Sequence, residues 1–127
     1  MDFLKMKILI VDDARVARQI VKNMLEESGF TDIIEAENGD KALELLSKEK
    51  VDCVLSDWNM PKMNGLELLR KIRATPGMTA LPFIMVTAER MEENIVQAVQ
   101  EGVSGYIKKP FGGKELQTKI RQALRQE

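Results

Sequence analysis

The chain has 127 residues, a length that suits one domain of ordinary size and leaves little for a second. Hydrophobic residues make up 44%, too many for a disordered chain. Charged residues make up 31% but nearly cancel to -1, which gives no general attraction to nucleic acid or to an anionic membrane.

There is no histidine, so Ser-His-Asp catalysis, imidazole zinc sites and a phosphohistidine on this chain are excluded. A metal would have to be held by oxygen, which favours magnesium, with manganese as the alternative, over zinc. No apolar run approaches the ~20 residues that span a bilayer. Met1-Asp2-Phe3-Leu4-Lys5-Met6 is too short and too charged for a signal peptide, so the cytoplasm is the expected compartment. The single cysteine, Cys53, can form no internal disulfide and sits in an apolar run, as a small buried hydrophobe would.

The first apolar run, residues 7–11, predicts a strand and ends in Asp12-Asp13. Val16, Ala17, Ile20, Val21, Met24 and Leu25 then recur three and four apart, the stripe of an amphipathic helix, with Gly29 as its stop. A second strand is expected at 32–36, followed by a helix carrying Ala42, Leu43, Leu45 and Leu46. The third strand, 53–57, ends on Asp57; after Asn64-Gly65 the stripe Leu66, Leu69 and Ile72 gives a third helix. The fourth, 82–87, ends on Thr87, and its helix carries Ile95, Val96, Ala98 and Val99 and stops near Gly102. The fifth, 104–108, runs into Lys109-Pro110, and Leu116, Ile120, Ala123 and Leu124 mark the last helix. All four prolines fall in loops or at a strand start, where they are tolerated.

Strand and helix thus alternate five times. Crossover helices force parallel strands, and a parallel sheet is covered on both faces. The expected fold class is α/β: a five-stranded parallel sheet, doubly wound in the flavodoxin-like order 2-1-3-4-5. It would form a single domain over residues 1–127, with no output domain attached. In that winding the ligand site lies beyond the carboxyl ends of strands 1 and 3, where Asp12, Asp13 and Asp57 fall.

An isolated Asp-Asp pair after a strand is most often a helix N-cap. Three converging carboxylates are another matter, because two of them ~5 Å apart repel by about 3 kcal/mol at an effective dielectric near 20. Magnesium would offset that repulsion. Asp13, Asp57 and the backbone carbonyl of Asn59 are the expected ligands, with Asp12 acting through metal-bound water. Thr87 and Lys109 add a hydroxyl and an ammonium, suited to the oxygens of a phosphoryl group on Asp57. Phosphoryl transfer relies on positioning and charge, so this set needs no separate base, and Asp57 is the expected nucleophile. Flavodoxin-like cofactor binding is disfavoured, since Asp12-Asp13-Ala14 would repel a phosphate.

Val11-Asp12-Asp13, Asp57-Trp58-Asn59-Met60-Pro61 with Gly65, Val86-Thr87-Ala88 and Lys109-Pro110-Phe111 resemble the receiver domains of bacterial two-component response regulators. The resemblance covers the whole chain and is strongest to chemotaxis members, through Leu55–Pro61, Gly65–Leu69, Met85–Glu89 and Glu93-Asn94-Ile95. That family is itself a standing example of the 2-1-3-4-5 order, so the order is owed to the resemblance as well as to the winding rule.

The resemblance implies that Asp57 takes a phosphoryl group from a histidine kinase, and that Lys109 contacts its oxygens. Thr87 would move toward them while Tyr106 turns inward to fill the space left, and a cis Lys109-Pro110 peptide would fix the lysine's direction. Asn59 and Glu89 would tune the acyl-phosphate lifetime. The chain would be a monomer and no enzyme, catalysing only its own phosphorylation and dephosphorylation. Its partner would be the flagellar motor switch protein, or another target on the helix 4–strand 5–helix 5 face. Neither nucleic acid nor membrane is implied.

Three departures touch that face: the acidic start Glu89-Arg90-Met91-Glu92-Glu93, Lys108 where an apolar residue often stands, and Gly112-Gly113, which offers the last helix no side-chain cap. One alternative is a phosphorelay intermediate that passes its phosphoryl group to a histidine phosphotransfer protein. A remote one is a haloacid-dehalogenase-like phosphatase, but Asn59 stands where that chemistry needs a second carboxylate.

Overall fold

The computed structural model describes residues 2–88 and 92–125. After a 3₁₀ turn at Phe3–Lys5 come β1 (Lys7–Val11), α1 (Arg15–Glu27), β2 (Asp32–Ala36), α2 (Gly39–Lys48) and β3 (Cys53–Asp57). Then follow α3 (Gly65–Arg73), β4 (Phe83–Thr87), α4 (Glu92–Gln100), β5 (Gly105–Lys108) and α5 (Gly113–Arg125). All strand pairs are parallel, in the expected order β2-β1-β3-β4-β5.

β4 and β5 begin one residue later than their apolar runs suggest. Pro82 has no N–H for the ladder and joins it only through its carbonyl, which accepts from Val54 N at 2.9 Å. Ser104 meets the Phe83 N–H with its hydroxyl, at 3.0 Å, instead of a backbone carbonyl.

Alternation along each strand sorts the core into two layers. Leu9, Val11, Val54, Phe83 and Met85 face α2, α3 and α4, packing with Ala42, Leu46, Leu69, Ile72 and Ala98. Ile8, Ile10, Cys53, Leu55, Ile84 and Val86 face α1 and α5, packing with Val21, Leu25, Leu116 and Ile120. β3 and β4 are buried at every position. Cys53 is fully buried, and desolvation pushes its thiol up to about 12, as befits an inert core residue.

Helix ends follow local chemistry. α1 stops in a Schellman motif: Gly29 (φ 102°) donates to Glu26 and Phe30 donates to Leu25, both at 3.0 Å. Gly102 (φ 88°) ends α4 in the same way, with Gly102 N bonded to Val99 O and Val103 N to Ala98 O. α5 forms from Gly113 without the side-chain cap the sequence lacks; its first turn closes through Leu116 N to Gly112 O at 3.1 Å. Lys108 is exposed at the end of the edge strand, where lysine also discourages edge-to-edge pairing.

α3 opens with a capping box. Asn64 Oδ1 accepts from Glu67 N (2.9 Å), and Asn64 N donates to Glu67 Oε1 (3.0 Å). Gly65 N donates to the Trp58 carbonyl at 2.8 Å, which folds the loop back against β3. A Cβ at Gly65 would lie 2.5 Å from the Asp57 carbonyl oxygen and 2.6 Å from Met85 Sδ. One of those obstacles is backbone, so Gly65→Ala is expected to lower stability by about 2 kcal/mol. Urea unfolding checks this, and an unchanged midpoint would show that the loop yields freely.

Candidate functional site at the carboxyl edge

Register delivers the site. Val11 pairs with Ser56, Asp57 with Val86 and Thr87 with Lys108, so Asp12, Asp57, Thr87 and Lys109 leave four neighbouring strands at one edge. Lys109 N donates to Thr87 O at 2.9 Å, carrying the ladder one residue past β5. The Lys109–Pro110 peptide is cis.

Asp12, Asp13 and Asp57 each bring a carboxylate oxygen within 4.8 Å of the others. Asp12 and Asp57 are buried, at 6% and 8% exposure, whereas Asp13 faces solvent. Lys109 Nζ lies 3.1 Å from Asp57 Oδ1, to which it donates, and 3.6 Å from Asp12 Oδ2. Thr87 is buried beside them at the end of β4. Asp12 is not a helix cap. The N-cap of α1 is Ala14, without a side-chain bond, and Asp12 Oδ1 instead accepts the Ala14 N–H at 2.9 Å.

Burial, and then the neighbouring Asp12 carboxylate, push the Asp57 carboxyl above its ordinary range, and Lys109 only partly offsets them. Among the described residues, one ammonium stands among the three carboxylates, which leaves an excess of negative charge. An all-oxygen, acid-rich donor set of this span suits a hard divalent cation such as magnesium.

The other expected residues are placed less centrally. Trp58, next to Asp57, is buried and packs with the α2–α3–α4 layer. Asn59 is exposed at the mouth. Tyr106 is half-buried on β5 against the same layer, with Lys119 Nζ 5.6 Å from its ring centroid. Glu89 lies outside the described residues. Sequence reasoning missed Arg18, which donates to the Asp12 carbonyl at 2.6 Å. Periodicity marks it only as a polar position beside an apolar stripe, and its reach depends on how α1 sits over β1 and β2.

A cleft of about 440 Å³ lies far from this chemistry, between the end of α2 and the segment before β4, lined by Leu46, Val51, Met78 and Leu81. It holds no acid cluster. A smaller apolar pocket of about 240 Å³, with Ile20, Met24 and Phe111 in its wall, borders Asp12 and Lys109.

Residues 8–121 match the response regulator receiver domain family, and the chain belongs to that family of signalling phosphoacceptors. It is 47% identical over 117 residues to the chemotaxis protein CheY of Pseudomonas aeruginosa, covering 92% of this chain and 94% of that protein. To chemotaxis protein CheY-3 of Vibrio cholerae it is 50% identical over 115 residues, covering 91% and 88%. Among solved structures, V. cholerae CheY4 superposes with a TM-score of 0.88 at 31% identity, over 94% of this chain and 99% of that one. The receiver domain of a P. aeruginosa sensor histidine kinase, solved with a magnesium ion coordinated in its active site cleft, superposes with a TM-score of 0.85 at 27% identity, over 94% and 98%.

The raised Asp57 pKa has a sign in stability. The native state holds this proton more tightly than the unfolded chain does. The group's contribution is therefore fully present below about pH 4 and is lost as pH rises through the raised value. In chelator at pH 7, Asp57→Asn is expected to unfold at higher urea than wild type, with the gap closing as pH falls toward 4. The opposite order at pH 7 would mean that Lys109 compensates Asp57 in full.

Proposed function

We propose that the domain is a magnesium-dependent phosphorylation switch with Asp57 as its acceptor. An Asp57 oxygen attacks the phosphorus of a histidine kinase's phosphohistidine, the P–N bond breaks, the imidazole leaves, and an aspartyl phosphate remains. The observation that carries this assignment is the placement of Lys109, 3.1 Å from Asp57 and 3.6 Å from Asp12, inside a triad of carboxylates. An ammonium there is poised for the oxygens of an incoming phosphoryl group, and the Thr87 hydroxyl would bond another. Asp13, Asp57 and the Asn59 carbonyl would hold magnesium, with Asp12 acting through water. Bound there, the ion supplies charge neutralisation for the phosphoryl oxygens. The magnesium in the active site cleft of the related sensor-kinase receiver supports a magnesium site in this fold.

A phosphoryl group adds about two negative charges to the pocket. New bonds from Thr87 and Lys109 favour one of two existing conformations, and Tyr106, on the strand beside Thr87, follows. The readout is the α4–β5–α5 face. Identity of 47% and 50% to chemotaxis proteins supports a cytoplasmic, monomeric chemotaxis regulator whose target is the flagellar motor switch.

Phosphorylation by a small acyl-phosphate donor with magnesium tests the acceptor. Wild type should take up one label that is stable in acid and lost in base, while Asp57→Asn takes up none and keeps its fold. Lys109→Ala is expected to accept label yet fail to activate. Stable label at another residue in the Asp57→Asn chain would remove Asp57 from its role. The target is tested separately, with a motor-switch peptide. Beryllofluoride with magnesium should tighten its binding about tenfold, a coupling of ~1.4 kcal/mol. If beryllofluoride leaves that affinity unchanged but retains a histidine phosphotransfer protein, the domain is a relay intermediate instead.

A further inference from the structure

Arg18 has no place in the phosphoryl chemistry, yet its guanidinium reaches the edge of the acid cluster. Nη1 donates to the Asp12 carbonyl at 2.6 Å, and Nε donates to Glu35 Oε1 on β2 at 3.1 Å. The other Glu35 oxygen lies 3.6 Å from Lys22 Nζ, one turn further along α1. The Arg18 side chain is 14% exposed and that of Glu35 32%, so these charge-assisted bonds are partly sheltered from water.

The Asp12 residue is fixed from three other sides. Its N–H donates to the Ala36 carbonyl at 3.2 Å, Oδ1 accepts from Ala14, and Oδ2 faces Lys109. Arg18 holds the carbonyl. That carbonyl shares a rigid plane with the N–H of Asp13 and with both Cα atoms. Whatever orients it therefore orients the point from which the Asp13 side chain departs. The carboxylates on either side of this peptide are two of the three in the cluster.

We infer that Arg18, oriented by Glu35, is a positioning residue for the cation site. It holds the Asp12–Asp13 peptide plane and so sets the spacing of the two carboxylates that flank it. The inference rests on the magnesium site proposed above. The guanidinium matters for its shape as well as its charge, since a planar fork can grip a carbonyl and a carboxylate at once in fixed directions. A lysine keeps the charge and loses the fork.

The test is a magnesium titration of Trp58 fluorescence in the full chain. It is paired with the rate of phosphorylation by acetyl phosphate at saturating magnesium. Arg18→Lys is expected to weaken magnesium about tenfold, and Glu35→Gln to weaken it less but in the same direction. The rate at saturating magnesium stays near wild type. A purely structural Arg18 would shift the unfolding midpoint and leave the magnesium affinity alone. A wild-type chain that titrates normally beside an unchanged Arg18→Lys overturns the inference and spares the site. A wild type whose Trp58 and stability both ignore magnesium overturns the site, and the inference with it.

Discussion

Like-charge repulsion at the carboxyl edge of the sheet is the constraint around which this molecule is organised. Three carboxylates have oxygens within 4.8 Å of one another, and the described residues set one ammonium directly among them. Each close pair costs a few kcal/mol at an effective dielectric near 20, against a total stability of roughly 5–15 kcal/mol for a domain of this kind. Asp12 and Asp57 cannot relax by swinging into water, because both are buried; only Asp13 faces solvent. The raised Asp57 pKa reflects its burial first and the charge of Asp12 second. Something outside the cluster must hold it in place.

The sheet does so. β3 is central, paired on both sides, and buried along its whole length, so Asp57 hangs from a strand packed on every side. Beyond it, the loop to α3 is fixed by Gly65 against Trp58 and by the reciprocal Asn64–Glu67 cap. Beyond β1, the Asp12 backbone and side chain are bonded to β2, to Ala14 and to Arg18. Apolar packing in two layers supplies the stability, and hydrogen bonds at the strand ends direct it to the acids.

The fold was legible because its signals are local. Val21, Leu25, Leu69, Ile72 and Ala98 sit in the core as their spacing implies, whereas Val16, Ile20, Val96 and Val99 of the same stripes are exposed, and Gly29 and Gly102 end their helices with the positive φ that glycine permits. The two strand starts that shifted did so at Pro82 and Ser104, where a missing N–H and a competing hydroxyl alter the ladder without altering the hydrophobic pattern. The cluster was legible for a topological reason: parallel strands put all their carboxyl ends on one edge, so residues 12, 13, 57, 87 and 109 had to converge. Arg18 was not legible. No spacing along α1 reveals that a side chain will cross to the carbonyl of residue 12, because that depends on the angle between α1 and the sheet. Nor does the sequence say that one lysine will stand between Asp57 and Asp12 rather than against one of them alone.

Rigidity is distributed unevenly across the site, and this bears on how a charge placed at Asp57 could be read at a distance. β3 and β4 are buried throughout, whereas β5 is an edge strand whose first two residues are half-buried and whose last is exposed. The bond from Lys109 N to Thr87 O ties the ends of the stiff β4 and the softer β5 together. If Lys109 turns its ammonium from Asp57 to a phosphoryl oxygen, and Thr87 follows, the buried strands have no room to answer, because displacing a packed core costs several kcal/mol. The edge strand does have room. Tyr106, half-buried one residue before the Ile107–Lys108 end of β5, is the large side chain nearest that freedom. On the proposal that Asp57 is the acceptor, the added charge would sit on a fully buried central strand and the movement would fall to the half-buried edge strand β5, with least loss to the core.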